Sequence, residues 1–293
     1  MSARPSIRSV SVLRSRCAFS VLLLSMVLLG HGCTGVLQNL GARWATNKIS
    51  AAFDLDEAQR EATRGAVDRA VEAAPELLGS RLDLLVATVD RALAKGLDEQ
   101  SMSVIERQID ALMDTAVAWV LDEAAPILAT LRDEQIDHAE RLLDERLEET
   151  RAELDALPAE RLQTRQDKFV EAIEKWTGRL SDQQERDIRS HVASMPDEAA
   201  DRLRADERRL AQVAERLREH PDASTIRDLL WDVWRQREDW GPGTRSPEAR
   251  RADGRKTLFF VYGILDARQR DHMSERLHEV HSTVNSLLGA EEG

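Results

Sequence analysis

Apolar residues recur along this chain at intervals of three and four, and that spacing leaves few folds open. Val67, Val71, Ala74 and Leu78 are followed by Leu82, Leu85, Val86, Val89 and Leu93 on the same period. Ile105, Ile109, Leu112, Ala116 and Val120 repeat it, with Trp119 beside them. Ile226, Leu229, Leu230, Val233 and Trp234 follow the i, i+3, i+4, i+7, i+8 pattern without a miss. A period of 3.6 residues places such residues on one face of an α-helix, whereas a strand would need strict alternation. The composition agrees: 32% charged, only 4% aromatic, rich in Ala, Leu, Glu and Arg, which is the make-up of helical arrays. The one strand-like run, Thr257 to Tyr262, has no partner strand and reads as buried helix. The expected fold is all-α, a multi-helix, mostly antiparallel array joined by short capped loops.

Punctuation sets the expected elements. Gly35 to Ser50 is a modest amphipathic stretch carrying Leu37, Leu40, Trp44 and Ile49. It is expected to dock on the body or lie near a membrane. Asp56 to Gly96 reads as one long helix, or a pair kinked or interrupted at Pro75. Helices are expected over Glu99 to Leu131, bent late by Pro126, and over Glu134 to Leu157. Pro158 opens another, with Leu162, Phe169, Ile173, Trp176 and Leu180 on one face. Ser181 to Val192 and Ala199 to Leu217 are divided by Met195-Pro196, and His220-Pro221 closes the second. Asp239 to Gly254, with three glycines and two prolines, reads as a loop able to separate a C-terminal segment from the body. The last helix carries Met273, Leu277, Val280, Val284 and Leu287.

Ahead of this body stands a leader. Arg4, Arg8, Arg14 and Arg16, with no acid, precede an uncharged apolar run of twelve residues from Ala18 to Leu29. That is the length of an export signal, and shorter than the about 20 residues a membrane-spanning helix needs. Gly30-His31-Gly32-Cys33 follows. It resembles the bacterial lipobox, whose cysteine receives diacylglycerol and becomes the new N-terminus. Gly32 fits the site before the cysteine, while Gly30 and His31 depart from the usual Leu and Ala or Ser. The resemblance makes Cys33 the lipid attachment site and places the body in the periplasm. Thr34, rather than Asp, after the cysteine implies the outer membrane. The expected layout is 1–32 signal peptide, 33–55 lipid-anchored tether, 56–238 helical body, 239–255 Gly/Pro-rich loop and 256–293 C-terminal helical segment packed on the body.

Charge and cysteine count exclude several classes. Losing the leader's four arginines takes the formal charge from −12 to −16, which argues against nucleic acid as a partner. Cys17 leaves with the leader and Cys33 is committed to lipid, so no disulfide or Cys-based zinc site is expected in the body.

A five-residue motif, Leu-x-x-x-Gln, recurs at Leu55–Gln59, Leu131–Gln135, Leu180–Gln184 and Leu265–Gln269, with a shortened copy at Leu97–Gln100. Its local meaning is helix initiation. Asp56, Ser181 and Asp266 are N-caps, and the Gln three residues on reaches back to the cap's own N–H. Arg132 cannot accept, so Asp133 is the expected cap there.

Two resemblances attach to these residues. The cysteine-ended leader, Phe53-Asp54-Leu55-Asp56 to Gln59, Lys175-Trp176-Thr177-Gly178-Arg179-Leu180 to Gln184, and Leu265 to Gln269 together resemble a bacterial lipoprotein family, the domain-of-unknown-function family numbered 6279. That resemblance implies an envelope location and a helical fold, and no activity. The chain has Asp or Ser where that family mostly shows Thr. The repeats also look like the Leu-Thr-x-x-Gln motif of Spy/CpxP-type periplasmic chaperones, which bind unfolded clients on a concave helical surface.

Catalytic constellations are sparse. Glu275-x-x-His278, with His272 and His281 nearby, is part of a di-iron ligand pattern that needs a second copy and two further inward carboxylates, and solvated histidines on a polar face are the simpler reading. His138 and His191 stand apart among acids. Trp231 and Trp234 have core spacing, while Trp240 in the loop is expected to be exposed. No catalytic, cofactor-binding or metal residue is assigned. The expected role is non-catalytic: binding a protein partner or client in the periplasm, or a structural one.

Overall fold

The computed structural model describes residues 34–288, with side chains from 42 to 286. The described residues form ten α-helices and no strand: α1 Thr34–Phe53, α2 Glu57–Lys95, α3 Glu99–Leu128, α4 Asp133–Asp155, α5 Pro158–Thr177, α6 Asp182–Ser194, α7 Ala199–Arg218, α8 Ala223–Arg235, α9 Pro247–Ile264 and α10 Ala267–Leu288. The all-α reading of the sequence holds. The signal peptide and Cys33 lie outside the described residues.

α2 is the spine. Its 39 residues extend about 58 Å at 1.5 Å per residue. It runs unbroken through Pro75, so of the two expected forms the single long helix is the one found. α3 folds back along it, α10 and α1 pack on it, and α8 lies against α3. α4 is joined to α7, and α5 to α6.

The two largest of the four apolar clusters among the described residues contain the motif leucines. One joins Leu55, Ala125, Leu131, Ile136, Ala214, Leu217 and Ile226, drawing together the starts of α2, α4 and α8 and the ends of α3 and α7. The other joins Val170, Ile173, Leu180, Ile188, Val192 and Leu265 from α5, α6 and the α9–α10 turn. The motif leucines sit in them as pairs, Leu55 with Leu131 and Leu180 with Leu265.

Three expectations change. In α1 the buried face is Ala42, Ala45, Thr46 and Ser50, while Trp44 is 38% exposed. Asp239 to Gly254 is only partly loop, because α9 starts at Pro247. Ser246 caps it, accepting from the Ala249 N–H at 3.2 Å, so Pro247 sits at the first helical position and starts a helix inside the expected loop. The remaining loop is fastened to α7: Arg209 donates to the carbonyls of Gln236, Arg237 and Asp239, and Arg208 to that of Trp240. Thr257–Tyr262 is helix, as expected, but Leu258 faces solvent.

Candidate functional site

The four Leu-x-x-x-Gln motifs that stand at helix starts, Leu55–Gln59, Leu131–Gln135, Leu180–Gln184 and Leu265–Gln269, come together in pairs. In the first pair, the Gln59 side chain accepts from the Asp56 N–H at 3.0 Å, and Gln135 accepts from the Arg132 N–H at 3.1 Å. Those N–H groups can only donate, so each amide must turn its oxygen toward its own cap. Each Nε2 then faces away from its helix. Gln59 donates to Gln135 Oε1 at 3.1 Å and to the Thr130 carbonyl at 2.9 Å. Gln135 donates to Gln59 Oε1 at 2.7 Å and to the Asp54 carbonyl at 3.0 Å. Both amides are buried, and every polar atom of each is used, as a buried amide requires.

The second pair repeats this with other residues. Gln184 accepts from the Ser181 N–H at 2.9 Å and Gln269 from the Asp266 N–H at 3.0 Å. Gln184 donates to Gln269 Oε1 at 2.7 Å and to the Ile264 carbonyl at 2.7 Å. Gln269 returns a bond to Gln184 at 3.2 Å and reaches the Arg179 carbonyl at 3.1 Å. Each clasp therefore ties two helix starts to each other and to the chain leaving two earlier helices.

Sequence reasoning found the local half of this device. Asp56, Ser181 and Asp266 cap as expected, accepting from Gln59, Gln184 and Gln269 N–H groups. It missed the pairing. It also misplaced one cap: Asp133 is the first residue of α4, and the N-cap Arg132 instead sends its guanidinium to Asp56 at 2.9 Å. The shortened copy is an ordinary box in which Asp98 exchanges bonds with Ser101 rather than Gln100. Hydrogen bonds from first-turn backbone N–H groups hold the Asp56, Asp98 and Asp222 carboxyls below their ordinary range; Arg132 adds to this at Asp56.

One signal for the pairing was present. Gln59 and Gln269 are each followed by an arginine, and Arg60 donates to the Leu55 carbonyl at 2.9 Å as Arg270 does to Leu265 at 2.6 Å. Each clasp joins one such Gln-Arg copy to one copy lacking the arginine. The Lys175–Leu180 segment forms the entry to the second clasp: Gly178 ends α5 at φ +72°, and Glu174 Oε1 accepts from the Leu180 N–H at 3.1 Å.

The C-terminal histidines do not converge. His281 Nε2 lies 2.7 Å from Asp83, His278 Nε2 3.4 Å from Asp90, and His272 Nδ1 3.7 Å from Glu275. The first two stitch α10 to α2. Among the described residues, no three His, Cys, Asp or Glu side chains are placed to hold a metal ion. His138 bonds to the Ala51 carbonyl at 3.1 Å, linking α4 to α1. His191, expected to stand apart, stacks on Phe260 with ring centroids 4.3 Å apart and meets Thr257 Oγ1 at 3.0 Å. Burial there pushes its pKa down. Trp234 is buried, donates to Asp114 at 2.7 Å and carries the Arg237 guanidinium 3.8 Å above its ring. Trp240 is not free as expected: Arg250 covers its ring at 3.9 Å.

Comparison with known families matches residues 53–245 to the family of unknown function DUF6279. The chain belongs to that family. The match takes in the whole first clasp and the Gln184 half of the second. No curated protein and no solved structure matches the chain. No described helix is long and apolar enough to cross a membrane.

Proposed function

We propose that this chain is a lipid-anchored protein of the bacterial envelope whose helical body faces the periplasm and serves as a non-catalytic binding scaffold. The observation that carries the reading is the leader: a basic start, a twelve-residue apolar run and Cys33 at the processing position. In this reading Cys33 bears the lipid and α1, beginning at Thr34, links anchor to body. The clasps support the scaffold part, since fully bonded amides, buried at Gln59, Gln135 and Gln269 and half-buried at Gln184, hold helix starts in fixed relation.

The test is in-cell crosslinking and pull-down from the native host, with wild type and Cys33→Ala side by side. One discrete partner lost with the anchor is the expected result. Absence of lipid on Cys33 in the mature wild type would overturn the anchored reading.

The second reading is a chaperone-like binder of unfolded periplasmic proteins, favoured by the Leu-x-x-x-Gln repeats. The motif leucines and glutamines are turned inward, so clients would be met by other residues of the helices. Failure of a stoichiometric excess to suppress aggregation of unfolded model proteins would sink it. A metal-dependent enzyme using His272, His278 and His281 is the least supported alternative, because each of the three faces a different carboxylate. Elemental analysis of purified protein tests it.

A further inference from the structure

α1 has two faces, and the fold uses one of them. Ala42, Ala45, Thr46 and Ser50 are buried, with Ile49 half-buried among them. They stand at i, i+3, i+4, i+7 and i+8, the spacing of one helix side, and the helix packs on α2, α4 and α10. Arg43, Trp44, Asn47 and Lys48 take the complementary positions, and all four are exposed. At 3.6 residues per turn they share one arc of about 140°.

This outer face differs in charge from the rest of the molecule. α1 is the one helix among the described ten with no Asp or Glu, in a chain whose formal charge is −12. Lys48 Nζ lies 5.9 Å from the centre of the Trp44 ring. Neither Lys48 nor Arg43 meets a carboxylate among the described residues. The result is a basic strip with an indole in it. Indoles favour the headgroup level of a membrane, and each Lys or Arg close to an anionic lipid surface adds to the attraction.

The strip also stands close to the anchor. α1 begins at Thr34, one residue after Cys33. Trp44 lies about 15 Å along the helix axis from there and Lys48 about 21 Å, at 1.5 Å per residue. A helix whose start is held at a bilayer keeps both within reach of that surface.

We propose that Arg43, Trp44 and Lys48 form a membrane-contact face for anionic phospholipid headgroups, so that α1 lies along the bilayer and holds the body with its α1 side to the lipid. The commitment to lipid follows from charge complementarity and from the few residues between strip and anchor. It rests on the anchored reading and adds which side of the body the lipid surface meets.

The experiment uses residues 33–293, in which Cys33 is the one thiol. That thiol is coupled to a maleimide-bearing lipid in vesicles of dibrominated phosphatidylcholine with about one quarter phosphatidylglycerol. Bromine on the acyl chains quenches an indole that reaches them. Wild-type fluorescence should fall relative to the same vesicles without bromine. Trp44→Phe should remove that quenching, and Arg43→Glu/Lys48→Glu, which keeps Trp44, should lower it at least about fivefold. Absence of quenching, equal quenching of wild type and Trp44→Phe, or quenching unmoved by the charge reversal overturns the proposal. Both variants change exposed side chains, and circular dichroism checks that each is folded. Should the charge reversal misfold, wild-type quenching in about 0.05 and about 0.5 M NaCl decides, because screening should weaken it; unchanged quenching overturns the proposal. The tether here is chemical, so failure of this contact is separable from absence of lipid on Cys33 in the cell.

Discussion

Gln59 and Gln135, 76 residues apart, exchange two hydrogen bonds through their side-chain amides while each still serves the backbone of its own helix start. A capping interaction and a tertiary one are thus made by the same atoms, and losing either amide strands polar groups at both helix ends.

Gln59→Ala should therefore cost more than an ordinary cap deletion, on the order of 2–4 kcal/mol, because Gln135 and the Thr130 carbonyl keep their burial and lose their partners. A double-mutant cycle with Gln135→Ala should show a coupling of about 1–3 kcal/mol by chemical denaturation. Additive costs would mean that the amides act independently.

Ser181→Ala removes one acceptor from the first turn of α6 and should cost on the order of 1 kcal/mol. Its Gln184 partner keeps its bond to the Ser181 N–H, so the clasp survives. A thermal midpoint equal to wild type would show that the hydroxyl bond is not contributing.

Gly178 sits at φ +72°, and a Cβ there would meet the His272 ring at 3.5 Å. Space is adequate and backbone conformation is not, so Gly178→Ala should destabilise by about 1–2 kcal/mol through strain alone. A large-residue substitution costing no more than alanine would support this, since packing would then be excluded as the cause.

His191 should make stability fall in mild acid. Burial beside Phe260 and Thr257 lowers its pKa below the ordinary 6.5. The unfolded chain therefore binds this proton first as pH falls. The stability associated with the neutral ring is complete above 6.5 and is lost as pH drops from there through the folded-state value. Thermal midpoints of wild type and His191→Gln across pH 5–8 should diverge only in the lower part of that range. Parallel curves would remove His191 as the source.

The helices were legible because their signals are local. Apolar spacing, Pro158 at a helix start and the caps Asp56, Ser181 and Asp266 all act within one or two turns of themselves. Pro247 misled because proline's effect depends on its position, and Pro247 follows a serine cap. The clasps were legible only by half. Nothing beside Gln59 in the chain says that its Nε2 will meet Gln135, because that contact is decided by which leucine pairs share a cluster. The ion pairs of Arg251 with Asp110 and of Arg255 with Glu106 were hidden likewise, their partners lying 141 and 149 residues apart. In a chain with 41 basic and 53 acidic residues, no single pairing stands out.

The second clasp sets an order in time. All the parts of the first lie before residue 137, whereas Gln184 must wait for Gln269, 85 residues later. A chain delivered N-terminus first can close its first junction while the second still presents Leu180 and an unpaired amide. A chain cut at residue 245, where the family match ends, would stay in that half-closed state permanently.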